Sequence, residues 1–243
     1  VFDSLARQLD LRPIPGRRVI IHGVVNSEPA PLVDIETINV GDSTWVNPRV
    51  AHISGDHAGR GLDGILGVDF LRQYAVGFSR ADRVVRLYPP ELISERSYRG
   101  WNNIPLETDS VRQSKAVLYV MQLTIRNRRV KAVLDLGAGV NIMNWQAAEK
   151  LGVAKIKPSK GLIVSGANDS TPVTARVRAE SMSTGSIKWR AEEFSVADLD
   201  IFSVLDLADE PAVILGAGLF TQRDFVIDFL RNRMLVSNNV DAR

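Results

Sequence analysis

The chain has 243 residues, 45% of them hydrophobic and 24% charged, which suits one large domain or two small ones with a real core. Its 30 Lys and Arg are interspersed with 28 Asp and Glu, leaving a net charge of +2 and no nucleic-acid footprint. The absence of cysteine excludes a disulfide framework, thiolate catalysis and thiolate metal sites.

Taken in order, the chain reads as mainly β with occasional short helices. Val1-Phe2-Asp3-Ser4 reads as mid-protein sequence, with no visible signal peptide and no apolar run long enough for a bilayer span. Phe2–Leu9 is a short helix candidate, with Phe2, Leu5, Ala6 and Leu9 on one face. Arg18–Val25 and Leu32–Val40 are β-rich runs bounded by turn residues. His52 and His57 flank a polar loop without the clustered acidic partners of a metal site. Pro89 to Lys115, with Pro89-Pro90 and Arg99-Gly100, reads as a linker. Val117–Ile125 and Val130–Leu134 then form a hairpin across a solvated Arg126-Asn127-Arg128-Arg129 turn. Trp145–Leu151 and Phe202–Leu207 are the remaining helix candidates, and Trp45, Trp145 and Trp189 are expected in packing roles.

An internal repeat organises these elements. Leu5–Leu11 (LARQLDL) resembles Ala147–Val153 (AAEKLGV), and Ile20–Pro31 (IIHGVVNSEPAP) resembles Ile163–Thr174 (IVSGANDSTPVT). Gly64–Phe78 (GILGVDFLRQYAVGF) resembles Val213–Ile227 (VILGAGLFTQRDFVI), in the same order. The offset drifts from 142 residues (Leu11 to Val153) to 149 (Gly67 to Gly216), as loop insertions between preserved elements would produce. The expected division is a first copy at 1–88, a linker at 89–115 and a second copy at 116–243. Only the second copy carries a hairpin and an Asp-bearing turn ahead of its short helix. The counterpart of Asp135 would stand roughly eight residues before Val1 if the offset holds.

That turn, Ala132–Asn144 (AVLDLGAGVNIMN), admits two chemistries. Val133-Leu134-Asp135-Leu136-Gly137-Ala138-Gly139 resembles the first motif of S-adenosylmethionine-dependent methyltransferases, where glycines let the backbone approach a cofactor. Asn141 stands where that pattern wants a third glycine, the segment around Lys155 and Lys157 lacks the acidic residue expected about 20 positions on, and long helices are missing. In the other reading the turn presents Asp135 as a bare carboxylate to activate water.

The repeat resembles the lobes of aspartic proteases of the retropepsin-like family. That pattern is a hydrophobic strand, Asp-Thr/Ser-Gly-Ala/Ser, a short helix, a flap hairpin and a late hydrophobic-hydrophobic-Gly. Asp135, Leu136, Gly137 and Ala138 occupy the active-site turn. His22, Gly23 and Val24, and Ser165, Gly166 and Ala167, resemble the two flaps. Ile65-Leu66-Gly67 and Ile214-Leu215-Gly216 resemble the late motifs beneath the active site, with Asp69 and Asp228 as structural residues nearby.

The resemblance implies two β-barrel lobes related by a pseudo-two-fold axis. Asp135 would be one catalytic carboxylate, with its partner upstream of Val1. It also implies an extended peptide or protein substrate, no metal, no cofactor, no nucleic acid, and a monomer once the first lobe is complete. The compartment stays open, with the resemblance leaning towards a periplasmic or secreted setting. The family has Thr or Ser where this chain has Leu136, and the lost hydroxyl bears on activity and not on fold. A non-catalytic peptide-binding protein on the same scaffold is the alternative.

Overall fold

The structure is a computed structural model that describes residues 1–23, 26–54, 61–80, 82–110, 117–152, 163–165, 170–189, 191–220 and 223–238. It is mainly β with short helices. In chain order, the first part holds α1 (Asp3–Gln8), β1 (Pro13–His22), β2 (Ser27–Asp34), β3 (Thr37–Val40), β4 (Ser43–Val46), β5 (Arg49–Ala51) and α2 (Val68–Leu71). Then follow β6 (Ala75–Ser79), β7 (Val84–Tyr88), β8 (Asn102–Pro105), β9 (Glu107–Ser110), β10 (Val117–Ile125), β11 (Arg128–Asp135), β12 (Asn141–Met143) and α3 (Trp145–Lys150). The remainder is β13 (Ile163–Ser165), β14 (Ser170–Pro172), β15 (Ala175–Ala179), β16 (Met182–Thr184), β17 (Ile187–Trp189), β18 (Glu192–Val196), α4 (Asp200–Val204), β19 (Ala212–Gly216), β20 (Phe225–Asp228) and β21 (Arg233–Val236).

The chain divides into two compact units: Val1–Phe70 with Val164–Thr171, and Leu71–Ile163 with Pro172–Arg243. The first unit contains the sheet β1-β2-β5 and the hairpin β3–β4. The second contains a sheet in the order β15-β18-β12-β19-β11-β10-β16-β17, with β9 also on β10, and a five-stranded sheet β7-β6-β20-β21-β8. Its core is formed by continuous apolar strands. Every residue of β19 and of β20 is buried, as expected for strands covered on both faces. In β10 the pattern Val120, Met121, Leu123, Ile125 is buried against β11 and β16.

The compact units do not follow the expected division at 88/89. β6 and β7 carry first-copy sequence, yet β6 pairs antiparallel with β20 and so joins the second unit. Within the segment read as linker, β8 adds to β21 and β9 adds to β10.

Strand registers recur at fixed spacings along the chain. Trp45 pairs with Ile38 and Trp189 with Met182, each pair 144 residues from its counterpart, around turns where Gly41 (φ 57°) and Gly185 (φ 54°) take left-handed backbone. Val33↔Val50 and Asp34↔Arg49 recur as Val177↔Phe194 and Arg178↔Glu193. After α1 and α3, Asp10 (φ 47°) and Gly152 (φ 79°) both turn left-handed, 142 residues apart. The Ile53 amide donates to Val1 O as the Ala197 amide does to Met143 O, and Phe2 N to Asp63 O as Asn144 N to Ala212 O. Hairpins β6–β7 and β20–β21 share one register at a spacing of 149: Val76↔Leu87 with Phe225↔Val236, and Phe78↔Val85 with Ile227↔Met234.

Candidate active site

The site is built where two parallel strands end side by side. β11 and β19 run from Lys131↔Ala212 to Asp135↔Gly216. On its other side β19 pairs antiparallel with β12, through Ile142↔Ile214 and Met143↔Val213. A strand flanked on both sides is rigid, and here Ile214 is 5% and Leu215 0% exposed. The chain leaving β11 must therefore cross the end of β19 to reach β12.

Gly216 makes that crossing possible. A Cβ at this position would lie 2.6 Å from Ala138 O and 2.7 Å from Val140 O, both backbone atoms. Only glycine allows so close a passage. The Ala217 amide donates to Ala138 O (3.0 Å), fastening the turn to β19. Within the turn, Ala138 N donates to Asp135 O (3.1 Å) and Gly137 N to Asp135 Oδ1 (2.9 Å). Asp135 itself is exposed, Gly137 is exposed, and Leu136 and Ala138 are half-buried. The result is a carboxylate presented to solvent on a backbone that is fixed from below.

Asn141 is a site residue that the sequence reading passed over as merely not a glycine. It is buried, its Oδ1 accepts from the Gly216 amide (3.0 Å), and its Nδ2 donates to Glu193 O (3.5 Å). A side chain thus satisfies the amide next to the crossing, where the β12 backbone has turned away. Asn144 is the second such residue. Its Oδ1 caps α3 by accepting from Ala147 N (2.9 Å) and also accepts from Ala212 N (3.1 Å), while Nδ2 donates to Leu207 O (2.9 Å) and Glu210 O (2.7 Å). A polar residue just before a helix was the available signal for the cap. The long-range bonds had none.

The other expected site residues are placed as follows. Asp135, Leu136, Gly137, Ala138, Ile214, Leu215 and Gly216 meet in the second unit, as described. In the first unit, Ile65 and Leu66 lie on non-strand chain and are 60% and 38% exposed, unlike their buried counterparts Ile214 and Leu215. No strand flanks them among the described residues. Gly67 lies against Asp69, whose Oδ1 would be 2.6 Å from a Cβ there. His22 ends β1 opposite Ser27, with a hydrogen bond between its Nδ1 and Ser27 Oγ (2.7 Å), and the Gly23 amide donates to Asn26 O (2.8 Å). Ser165 ends β13, whereas Val24, Gly166, Ala167 and His57 lie outside the described residues.

His52 contacts Asp3 (Nε2–Oδ1, 2.6 Å). Asp228 is fully buried and holds Arg231 (2.9 Å) and Arg233 (3.1 Å), a structural ion cluster at the β20–β21 hairpin. The Phe202–Leu207 helix candidate is α4 and its following turn, with Phe202, Leu205 and Leu207 buried. Among the described residues no group of three or more His, Asp or Glu side chains is arranged to hold a metal, and no helix is long and apolar enough to cross a membrane.

Comparison with known proteins gives a family match over part of the chain. Residues 121–219, which run from within β10 through the Asp135 turn to three residues past β19, match the family model described as aspartyl protease. Among solved structures, the chain is similar to a retropepsin-like aspartic protease from Rickettsia conorii, at 18% identity and a TM-score of 0.38, over 56% of this chain and 90% of that one. No curated protein matches it. The likeness to the aspartyl protease family is thus carried by residues 121–219.

Proposed function

We propose that the chain is the greater part of an aspartic endopeptidase in which Asp135 supplies one of two carboxylates. The observation that carries this reading is the exposed Asp135 on a turn clamped over Gly216. Two facing carboxylates share one proton, because like charges so close cannot both ionise. The ionised one takes a proton from water and the protonated one donates to the scissile carbonyl, so the pair titrates as a unit. Asp135 alone cannot do both tasks. The matching registers at spacings of 142, 144 and 149 support a second turn of the same kind, carried by polypeptide preceding the first copy. The substrate is an extended peptide, held by main-chain hydrogen bonds along the flap hairpins. The completed enzyme works as a monomer without metal or cofactor, in a periplasmic or secreted setting.

Leu136 supports a second reading, a peptide-binding protein without catalysis. Its side chain has no hydroxyl to bond across to a partner turn, and an abandoned buried donor there costs about 1–3 kcal/mol. The described α-helices, of six residues at most, favour the carboxylate reading over the cofactor one.

The deciding experiment is cleavage of an unfolded protein by the N-terminally extended gene product across acid to neutral pH, beside Asp135→Asn. Activity with a bell-shaped pH profile, abolished in the variant, is expected. Equal activity of the two proteins would remove Asp135 from the mechanism. Peptide binding with no turnover in either would favour the second reading. The 243-residue chain by itself is expected to be inactive.

A further inference from the structure

The β10–β11 hairpin turns through Arg126 and Asn127, at the end of β11 remote from Asp135, and its arginines do not stand alone there. The Arg126 guanidinium donates to Leu151 O (3.3 Å), just after α3, and to Arg178 O on β15 (3.0 Å). The Lys150 ammonium donates to Arg129 O (3.2 Å). These bonds to neutral carbonyls draw Lys150 and Arg178 to the hairpin and leave the positive charges uncompensated. On the sheet, Arg129 pairs with Thr124, Thr124 with Ser183 and Ser183 with Lys188, so one row of neighbours carries a cation at each end. Three strand spacings put those two about 14 Å apart.

Arg126, Arg128, Arg129, Lys150, Arg178 and Lys188 are all exposed, and none forms an ion pair among the described residues. Glu149, Glu180 and Glu193 are close in chain or register, yet none of them is ion-paired among the described residues either. The surroundings decide what such a surface fits. None of the large exposed hydrophobic side chains lies in β10, β11, α3 or β15–β17. A docked protein wants an apolar core, and a single nucleic-acid strand wants exposed aromatic rings to stack on. Trp145 and Trp189 are buried. A field of anionic headgroups asks only for cations spread in two dimensions, as these are over β11, α3, β15 and β17.

We propose that this end of the second unit is a docking surface for an anionic lipid membrane, held by headgroup charge without insertion. β11 runs from this surface to Asp135, about 20 Å along the strand, so adsorption leaves the carboxylate turn clear of the lipid. The surface uses none of the residues around Asp135, so its test needs no activity.

The 243-residue chain is co-sedimented with vesicles of phosphatidylcholine containing about 30% phosphatidylglycerol, beside vesicles of phosphatidylcholine alone. Binding to the charged vesicles only, lost at about 0.5 M salt, is expected. Arg128→Glu with Arg129→Glu should weaken it roughly tenfold or more. The same charge change at the exposed Arg96 and Arg99 should weaken it far less. The Arg128 and Arg129 side chains make no hydrogen bond among the described residues, so the double variant should fold normally, which an unchanged melting temperature checks. Lys188→Glu, on a different strand, is the second variant and should also weaken binding. Equal binding to neutral vesicles, no binding to charged ones, or equal loss in the two double variants would each overturn the proposal. So would tighter binding to a DNA duplex or to polyglutamate than to the charged vesicles at equal charge, because the partner would then be a nucleic acid or an acidic protein.

Discussion

Gly216 is the residue on which the geometry of the Asp135 turn depends most directly. Gly216→Ala would drive a methyl group into Ala138 O and Val140 O, and backbone carbonyls fixed by neighbouring strands cannot rotate aside. The expected cost is about 1–3 kcal/mol in urea unfolding. Asn141→Ala leaves the buried Gly216 amide without its acceptor, a loss of about 1–3 kcal/mol by the same measurement. Glu192 shows a different residue-level effect. Burial raises its carboxyl above the ordinary value of 4.5, so the folded chain holds this proton more tightly than the unfolded chain. The resulting stabilisation is complete below 4.5 and lost as the pH rises through the folded value. Glu192→Gln should therefore raise the melting temperature by roughly 1–3 °C near neutral pH, with the gain vanishing at about pH 3. An unchanged difference between the two conditions would remove Glu192 as its source.

At the scale of elements, Asn144 joins three of them, since it caps α3, accepts from β19 and donates to the turn after α4. Asn144→Ala removes a cap and strands a buried amide, so roughly 2–4 kcal/mol should be lost in urea unfolding. A loss confined to the size of the cap alone would show that the links to Ala212, Leu207 and Glu210 contribute nothing. Elements with strong local patterns were legible in advance. α3 fell where apolar periodicity placed it, and the β10–β11 turn fell at Arg126 (φ 46°) and Asn127 (φ 61°), a two-residue hairpin geometry. β8 and β9 were not legible. Asn102-Asn103-Ile104-Pro105 has one apolar residue and a proline, and it becomes a strand only because β21 offers an edge. In so short a segment pairing outweighs propensity. The same dependence explains Ile65 and Leu66. Their motif matches Ile214 and Leu215, but burial belongs to the flanking strands, and sequence similarity does not carry those along.

Across the whole molecule, similar motifs recur in one order along the sequence, whereas the compact units cut across them. β6 and β7 belong to the first copy by sequence and to the second unit by pairing, and no local signal in Ala75–Tyr88 announces β20 as a partner. The two units also differ in how deeply their strands are buried. β1 has no fully buried residue, β3, β4 and β5 have none, and β2 has Ala30 and Val33. In the second unit β19 and β20 are buried throughout, β10 and β21 are mostly buried, and half of β11 is buried. Strands with little buried apolar area open at low free-energy cost, so their amides exchange through local opening and not through global unfolding. Hydrogen exchange should therefore be faster across β1–β5 than across β10, β11 and β19, by on the order of tenfold or more for each ~1.4 kcal/mol of difference. A single shared protection level would mean that both units open in one cooperative event, despite their unequal burial.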